Sequence, residues 1–167
     1  AMIIRLTDET GLIEHNVCWD TAYRAFTGNT IFSRSCRGTV FQFNEGYRNR
    51  AGELDPKKYW DGSLYDADLQ SPGCIFQYSY SHDNSHGLFW QYAAGPDLGI
   101  ICRYNISQND QGDIFALSGS SAASSIYIHN NTIYLPTNYP VNFGNTNKPR
   151  IIDERNSGHT YYFFNNI

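Results

Sequence analysis

Residues 100–131, IICRYNISQNDQGDIFALSGSSAASSIYIHNN, hold one full turn of the pattern on which this chain is built. An alternating segment, IICRYN, ends on Asn105, and a second, SIYIHNN, ends on Asn131, 26 residues later. Between them ISQ follows the first Asn, a polar turn intervenes, and DIFALSG supplies a third apolar stretch. Alternation over so few residues marks half-buried strands rather than helix. Three short strands and three turns bring the chain back to its starting register.

The same register recurs outward in both directions. TGLIEHN ends at Asn16, TVFQFN at Asn44, CIFQYS at Ser79 and YYFFNN at Asn166, so the intervals along the chain are 28, 35, 26, 26 and 35 residues. A base period near 26 with insertions is the mark of a solenoid. Short strands VCW, EGY, YSH, ISQ and TIY follow the marker residues, and the third strand of each repeat is predicted in YRAFTG, SLYDADL, GLFWQY, DIFALSG and YPVNFG. One such coil cannot bury its inner face alone, so the core must come from stacking. The expected fold is all-β, a right-handed parallel β-helix of about six coils, forming one domain over 1–167 with an insertion loop at about 48–62. The recurring Asn is expected to take the left-handed backbone of a tight corner. Stacked copies are also expected to pass hydrogen bonds from coil to coil as an asparagine ladder.

Composition narrows the partners. The formal charge is −4, with no basic stripe to neutralise phosphates, which argues against nucleic acid. No apolar run approaches the length of a membrane span, about 18 residues. Cys18, Cys36, Cys74 and Cys102 form no CxxC pair, so they read as small buried residues rather than zinc ligands, with a bridge between coils as the alternative.

The strands running into Asn16, Asn44, Asn105, Asn131 and Asn166 resemble those of the pectate-lyase-like superfamily of parallel β-helices, over about residues 10–167. That resemblance implies the fold and leaves the activity open, because lyases, hydrolases, esterases, isomerases and inert adhesins share the scaffold. It also implies a secreted bacterial protein, extracellular or periplasmic. The chain stops on a marker Asn, at FFNNI, which suggests a fragment of a longer helix, or self-association through open ends.

The segment between Trp60 and Trp90 carries most of the candidate chemistry. With Tyr65 and Ala67 pointing inward, Asp66 and Asp68 share the outer face; one coil later Trp90 and Tyr92 do the same, and then Ala116 and Ser118. Carboxylates beside exposed rings suit a sugar-binding groove: rings stack on pyranose faces while acids bond hydroxyls, bind Ca2+ or move protons. Asp66 and Asp68 are therefore the candidate catalytic acids and also the candidate Ca2+ ligands. His82 and Asp83 are weaker catalytic candidates, since neighbours on a strand face opposite ways, and a turn role for Asp83 and Asn84 competes. Arg48, Arg50, Lys57 and Lys58 of the insertion border the acidic stripe; Arg50 and Lys58 join Trp90 and Tyr92 as candidate substrate contacts, and such cations could supply the base of a uronate lyase.

Asp61, Gly62, Asp66, Asp68 and Tyr80 to Asn84 also match a DG…DxD…YSHDN pattern, similar to a bacterial subgroup of secreted β-helix proteins near carbohydrate-active enzymes. No galacturonase-like acid and His-Arg pattern and no pectate-lyase arginine signature is present. The expected partner is a polysaccharide or oligosaccharide. Two readings stand: a glycoside hydrolase or polysaccharide lyase, and a non-catalytic glycan-binding or structural rod.

Overall fold

The computed structural model describes residues 2–4, 10–22, 28–51, 61–93, 98–119, 125–135, 150–154 and 159–167. All the regular structure among them is strand, in three sheets whose neighbours are all parallel. No helix among these residues is long and apolar enough to cross a membrane.

Numbered in chain order, the first sheet contains β1 (Met2–Ile4), β4 (Ile31–Arg34), β7 (Tyr65–Asp68), β10 (Phe89–Ala93), β13 (Phe115–Gly119) and β16 (Ile152–Glu154). The second contains β2 (Leu12–Glu14), β5 (Val40–Gln42), β8 (Ile75–Gln77), β11 (Leu98–Arg103), β14 (Ser125–His129) and β17 (Thr160–Phe164). The third is built from β3 (Val17–Trp19), β6 (Glu45–Tyr47), β9 (Tyr80–His82), β12 (Ile106–Gln108) and β15 (Thr132–Tyr134). The chain visits the sheets in strict rotation and returns to each one strand further on. This is a parallel β-helix, consistent with the right-handed sense that parallel crossovers favour.

Two third-strand assignments need correcting. Beside β7 the position predicted for YRAFTG is occupied by Ile31–Arg34, and beside β13 the position predicted for YPVNFG is occupied by Ile152–Glu154. YPVNFG and most of YRAFTG lie outside the described residues. Aromatic alternation favoured both segments, whereas IFSR and IDE show little pattern of their own and owe their place to the ladders on either side.

Inward residues form the core. Phe41, Phe76, Cys102 and Ile128 come from the second sheet, and Ile31, Tyr65, Phe89 and Phe115 from the first. The rings of Phe41 and Phe76 stack 4.7 Å apart, with Tyr65 and Phe89 packed at 5.1 and 5.2 Å from Phe76. The third sheet contributes small inward groups, Cys18, Gly46, Ser81 and Ser107. At Gly46 a Cβ would run into Leu64 Cδ1, so the leucine takes the space that glycine leaves. All four cysteines are free thiols, three of them buried.

The corner between the second and third sheets works differently from the expectation. The left-handed residue is the one before each marker: His15, Phe43, Tyr78, Tyr104, Asn130 and Asn165 have φ between 51° and 57°. That conformation costs an ordinary side chain about 1–2 kcal/mol. The marker's contribution is a hydrogen-bonded column. Asn16 N and Nδ2 donate to Asn44 Oδ1 at 3.1 and 2.9 Å, Asn105 repeats the arrangement onto Asn131, and Asn131 onto Asn166.

Ser79 is too short to complete that column, and a core residue fills the space. Tyr65 Oη lies 2.7 Å from Ser79 Oγ and accepts from Asn44 Nδ2 at 3.0 Å, while Ser79 Oγ accepts from Asn44 N and donates to Gln77 O. Tyr65→Phe strands a buried donor, at a cost of about 1–3 kcal/mol. Ser79→Asn alone collides with the phenol, but added to Tyr65→Phe it restores the amide that the other coils use. A urea double-mutant cycle is expected to show the second change rescuing the first; simple addition of two costs would reject this account.

A second buried polar column lines the next corner. Asp110 accepts from Ser81 Oγ and Ser107 Oγ, both at 2.6 Å, and from Asn84 N and Nδ2 at 3.0 and 2.9 Å. Burial raises its pKa to about 6, even though those donors pull it down. A folded pKa above the unfolded one means the stability this group contributes is complete below pH 4. It fades as pH rises through 6, a loss of about 3 kcal/mol. Asp110→Asn, neutral throughout, is expected to remove that dependence. Parallel stability–pH curves for the two proteins between pH 4 and 7 would refute the assignment.

Candidate functional site

The outer face of the first sheet gathers the acids. Tyr65 and Ala67 of β7 are fully buried inward, so Asp66 and Asp68 both project to the outer side, as alternation predicts. In register with them stand Phe32 and Arg34 on β4, and Trp90 and Tyr92 on β10. Ala116 and Ser118 follow on β13.

Outward is not the same as exposed. Asp66 retains 8% of its surface, Trp90 6% and Ala116 none, so that column is covered. Asp68 is half-buried and Tyr92 is 46% exposed. The outer stripe is therefore open at Asp68 and Tyr92 and covered at Asp66, Trp90, Ala116 and Ser118. Trp90 is a wall of the site, its ring 5.2 Å from that of His86. Tyr92 is the exposed ring beside Asp68.

Asp66 is held from one side only. Asn29 Nδ2 donates to its Oδ2 at 2.7 Å, while Oδ1 is buried with no hydrogen-bond partner. Burial, and then the charges of Asp68 and Asp61, push its pKa well above the usual carboxylate range, against the pull of the Asn29 hydrogen bond. Asp61, a residue at the end of the insertion, thus belongs to the same cluster. Its own pKa is raised by burial and by Asp68, and lowered in part by the backbone amide of Gly28. Asp68 is raised by burial too, but Arg34 and the amide of Leu69 oppose the shift. Three carboxyls within each other's field oppose one another's ionisation, so the cluster holds its protons more tightly than isolated acids would.

Behind these acids lies a buried relay of polar groups. His86 Nδ1 is 3.5 Å from Ser63 Oγ and its Nε2 is 3.8 Å from Asp113 Oδ2. Arg150 grips Asp113 through two hydrogen bonds of 3.0 and 3.1 Å and reaches Asp153 at 2.9 Å. His86 is buried, with Gly112 of the next coil packed close against it.

His82 and Asp83 stand on the third sheet and its corner, away from that face. Asp83 adopts a left-handed conformation, φ 54°, which turns its carboxylate back to His82 Nδ1 at 2.7 Å; the opposite-face objection does not apply. Nε2 meets Glu45 Oε1 at 3.1 Å, and the ring lies between those of Tyr47 and Tyr80. Burial acts to lower the His82 pKa, but the hydrogen bonds and charges of Asp83 and Glu45 outweigh it and raise the pKa. With both nitrogens committed to carboxylates, His82 is suited to joining coils. Arg50 sits at the corner after β6, its N–H bonded to Thr21 O, and Lys58 lies outside the described residues.

Ca2+ takes six to eight oxygens, whereas no group of three or more His, Cys, Asp or Glu among the described residues is placed to hold an ion, and Asp66 already commits Oδ2 to Asn29. The exposed rings of Phe43, Tyr78 and Tyr104 form a stacked column with His15, with centroids 5.2 to 5.5 Å apart. Their faces are occupied by one another, so they offer a sugar only edges.

Sequence reasoning missed Asn29 and Arg34 because it placed the strand before β7 at the wrong residues. Once Ile31 is set against Tyr65, Gly28-Asn29 falls level with Gly62-Ser63, the loop that carries Asp61.

No family model matches the chain. It is 38% identical over 109 residues to a lacto-N-biosidase of Bifidobacterium longum subsp. longum. The match covers 63% of this chain and 6% of that protein, so the chain corresponds to a small part of its relative.

Proposed function

We propose that this chain is carbohydrate-active and hydrolyses a glycosidic bond at the outer face of its first sheet. The observation that carries the reading is the cluster of Asp61, Asp66 and Asp68, all with raised pKa, beside the exposed ring of Tyr92. Hydrolysis of a glycoside needs one carboxyl that is protonated and one that is ionised at working pH. Asp61, whose pKa is raised by burial and by Asp68, is the proton donor to the leaving oxygen. Asp68, held toward ionisation by Arg34, is the carboxylate that attacks the anomeric carbon or activates water. Asp66, the most buried, is held back from ionising by its burial and by the charges of Asp68 and Asp61. The similarity to a lacto-N-biosidase supports a glycan substrate, and a glycan polymer or oligomer is met outside the cell or in the periplasm.

The test is release of reducing ends from a panel of oligosaccharides and polysaccharides, with absorbance at about 235 nm followed in parallel, with and without Ca2+. Reducing ends without ultraviolet absorbance are the expected result. An absorbing, Ca2+-dependent product would make the chain a lyase. Glycan affinity with no turnover would make it a binding module.

A further inference from the structure

We propose that Asn29 is the positioning residue of the acid cluster, one side chain that fixes both the loop carrying Asp61 and the carboxyl of Asp66. This rests on the hydrolytic reading above. Asn29 is only 2% exposed, just before β4, and its amide is bonded in two directions. Oδ1 accepts from the backbone N–H of Gly62 at 3.0 Å and of Ser63 at 2.8 Å, the two residues that follow Asp61. Nδ2 donates to Asp66 Oδ2 at 2.7 Å, which leaves Oδ1 of Asp66 buried without a hydrogen-bond partner. The neighbouring Gly28 presents its backbone amide to the Asp61 carboxylate, so residues 28–29 grip both ends of the cluster. A carboxyl misplaced by an ångström costs about 100-fold in rate, which makes such a clamp consequential.

The amide's two halves are separable by substitution. Asn29→Asp keeps an oxygen for Gly62 and Ser63 but sets a carboxyl against Asp66 in place of a donor. Asn29→Ala loses both. The charged and titratable groups around the cluster are Asp61, Asp68 and Arg34, with His86 and Asp113 behind Ser63. An added acid among them moves the titration of Asp61 and Asp66 upward.

The experiment compares kcat, KM and the pH–rate profile of the 167-residue chain and both variants, with thermal melting as the control for folding. Expected are kcat losses of about 10- to 100-fold with KM within about threefold, and pH limbs moved upward in Asn29→Asp. Activity lost only in proportion to the unfolded fraction, with unmoved limbs, would show a merely structural residue and overturn the proposal. Should the unaltered chain cleave no glycan, the hydrolytic reading fails by itself. Carbon-13 titration of the Asp61 and Asp66 carboxyls then decides the clamp: midpoints raised in Asn29→Asp uphold it, and unchanged midpoints overturn it.

Discussion

Asp68→Asn is expected to reduce glycan cleavage by about 1,000-fold or more on every substrate, whereas Asp61→Asn is expected to discriminate by leaving group. The asymmetry follows from the roles. A carboxylate that attacks carbon or activates water is needed whatever departs, so its loss is uniform. A proton donor is needed only when the departing oxygen is a poor leaving group. A dinitrophenyl glycoside leaves unaided, so Asp61→Asn should retain most of its rate on that substrate and fall by about 100- to 10,000-fold on a sugar leaving group.

The pH profile carries the same assignment with a definite sign. Asp68 must be ionised, so it sets the acidic limb; Asp61 must be protonated, so its raised pKa sets the basic limb. Asp61→Asn removes the basic limb. Asp66→Asn replaces a buried acid by a neutral amide of the same shape and is expected to cost only about tenfold. Equal losses on aryl and natural glycosides in Asp61→Asn would remove it from the donor's role. Activity above a tenth of the original in Asp68→Asn would remove that residue from catalysis altogether.

Much of this architecture was legible before the coordinates. The marker residues at 16, 44, 79, 105, 131 and 166 do fall in register, and the alternation in YDAD and FWQY correctly sends Asp66, Asp68, Trp90 and Tyr92 to the outer side. Alternation reports only which way a side chain leaves the strand. It says nothing of what lies over the sheet, so the burial of Asp66 and Trp90 was beyond its reach. Periodicity also fails where a strand is held by its neighbours rather than by its own residues, as in Ile31–Arg34. That error concealed Asn29, whose partners lie 33, 34 and 37 residues away. His82 was misjudged for a related reason: the left-handed turn at Asp83 reverses the direction that a regular strand would impose.

Phe76→Ala is expected to cost about 3–5 kcal/mol, the largest stability effect of any single change considered for this chain. The ring is fully buried and touches three others, Phe41, Tyr65 and Phe89, from the coils below and above and from the facing sheet. No neighbour can close the void easily. Phe41 and Phe89 are anchored on their own parallel ladders, and Tyr65 is tethered by its hydroxyl to Ser79 and Asn44. In a globular core such a loss lowers stability as a whole. A solenoid is closer to one-dimensional, each coil being stabilised by the next, so weakening one central contact also weakens the coupling between the halves. Urea unfolding of Phe76→Ala should therefore show a lower midpoint together with a smaller apparent m-value, as the coils on either side begin to unfold separately. A lower midpoint with an unchanged m-value would mean that the hydrogen-bonded columns at the corners, rather than the aromatic core, carry cooperativity along the axis.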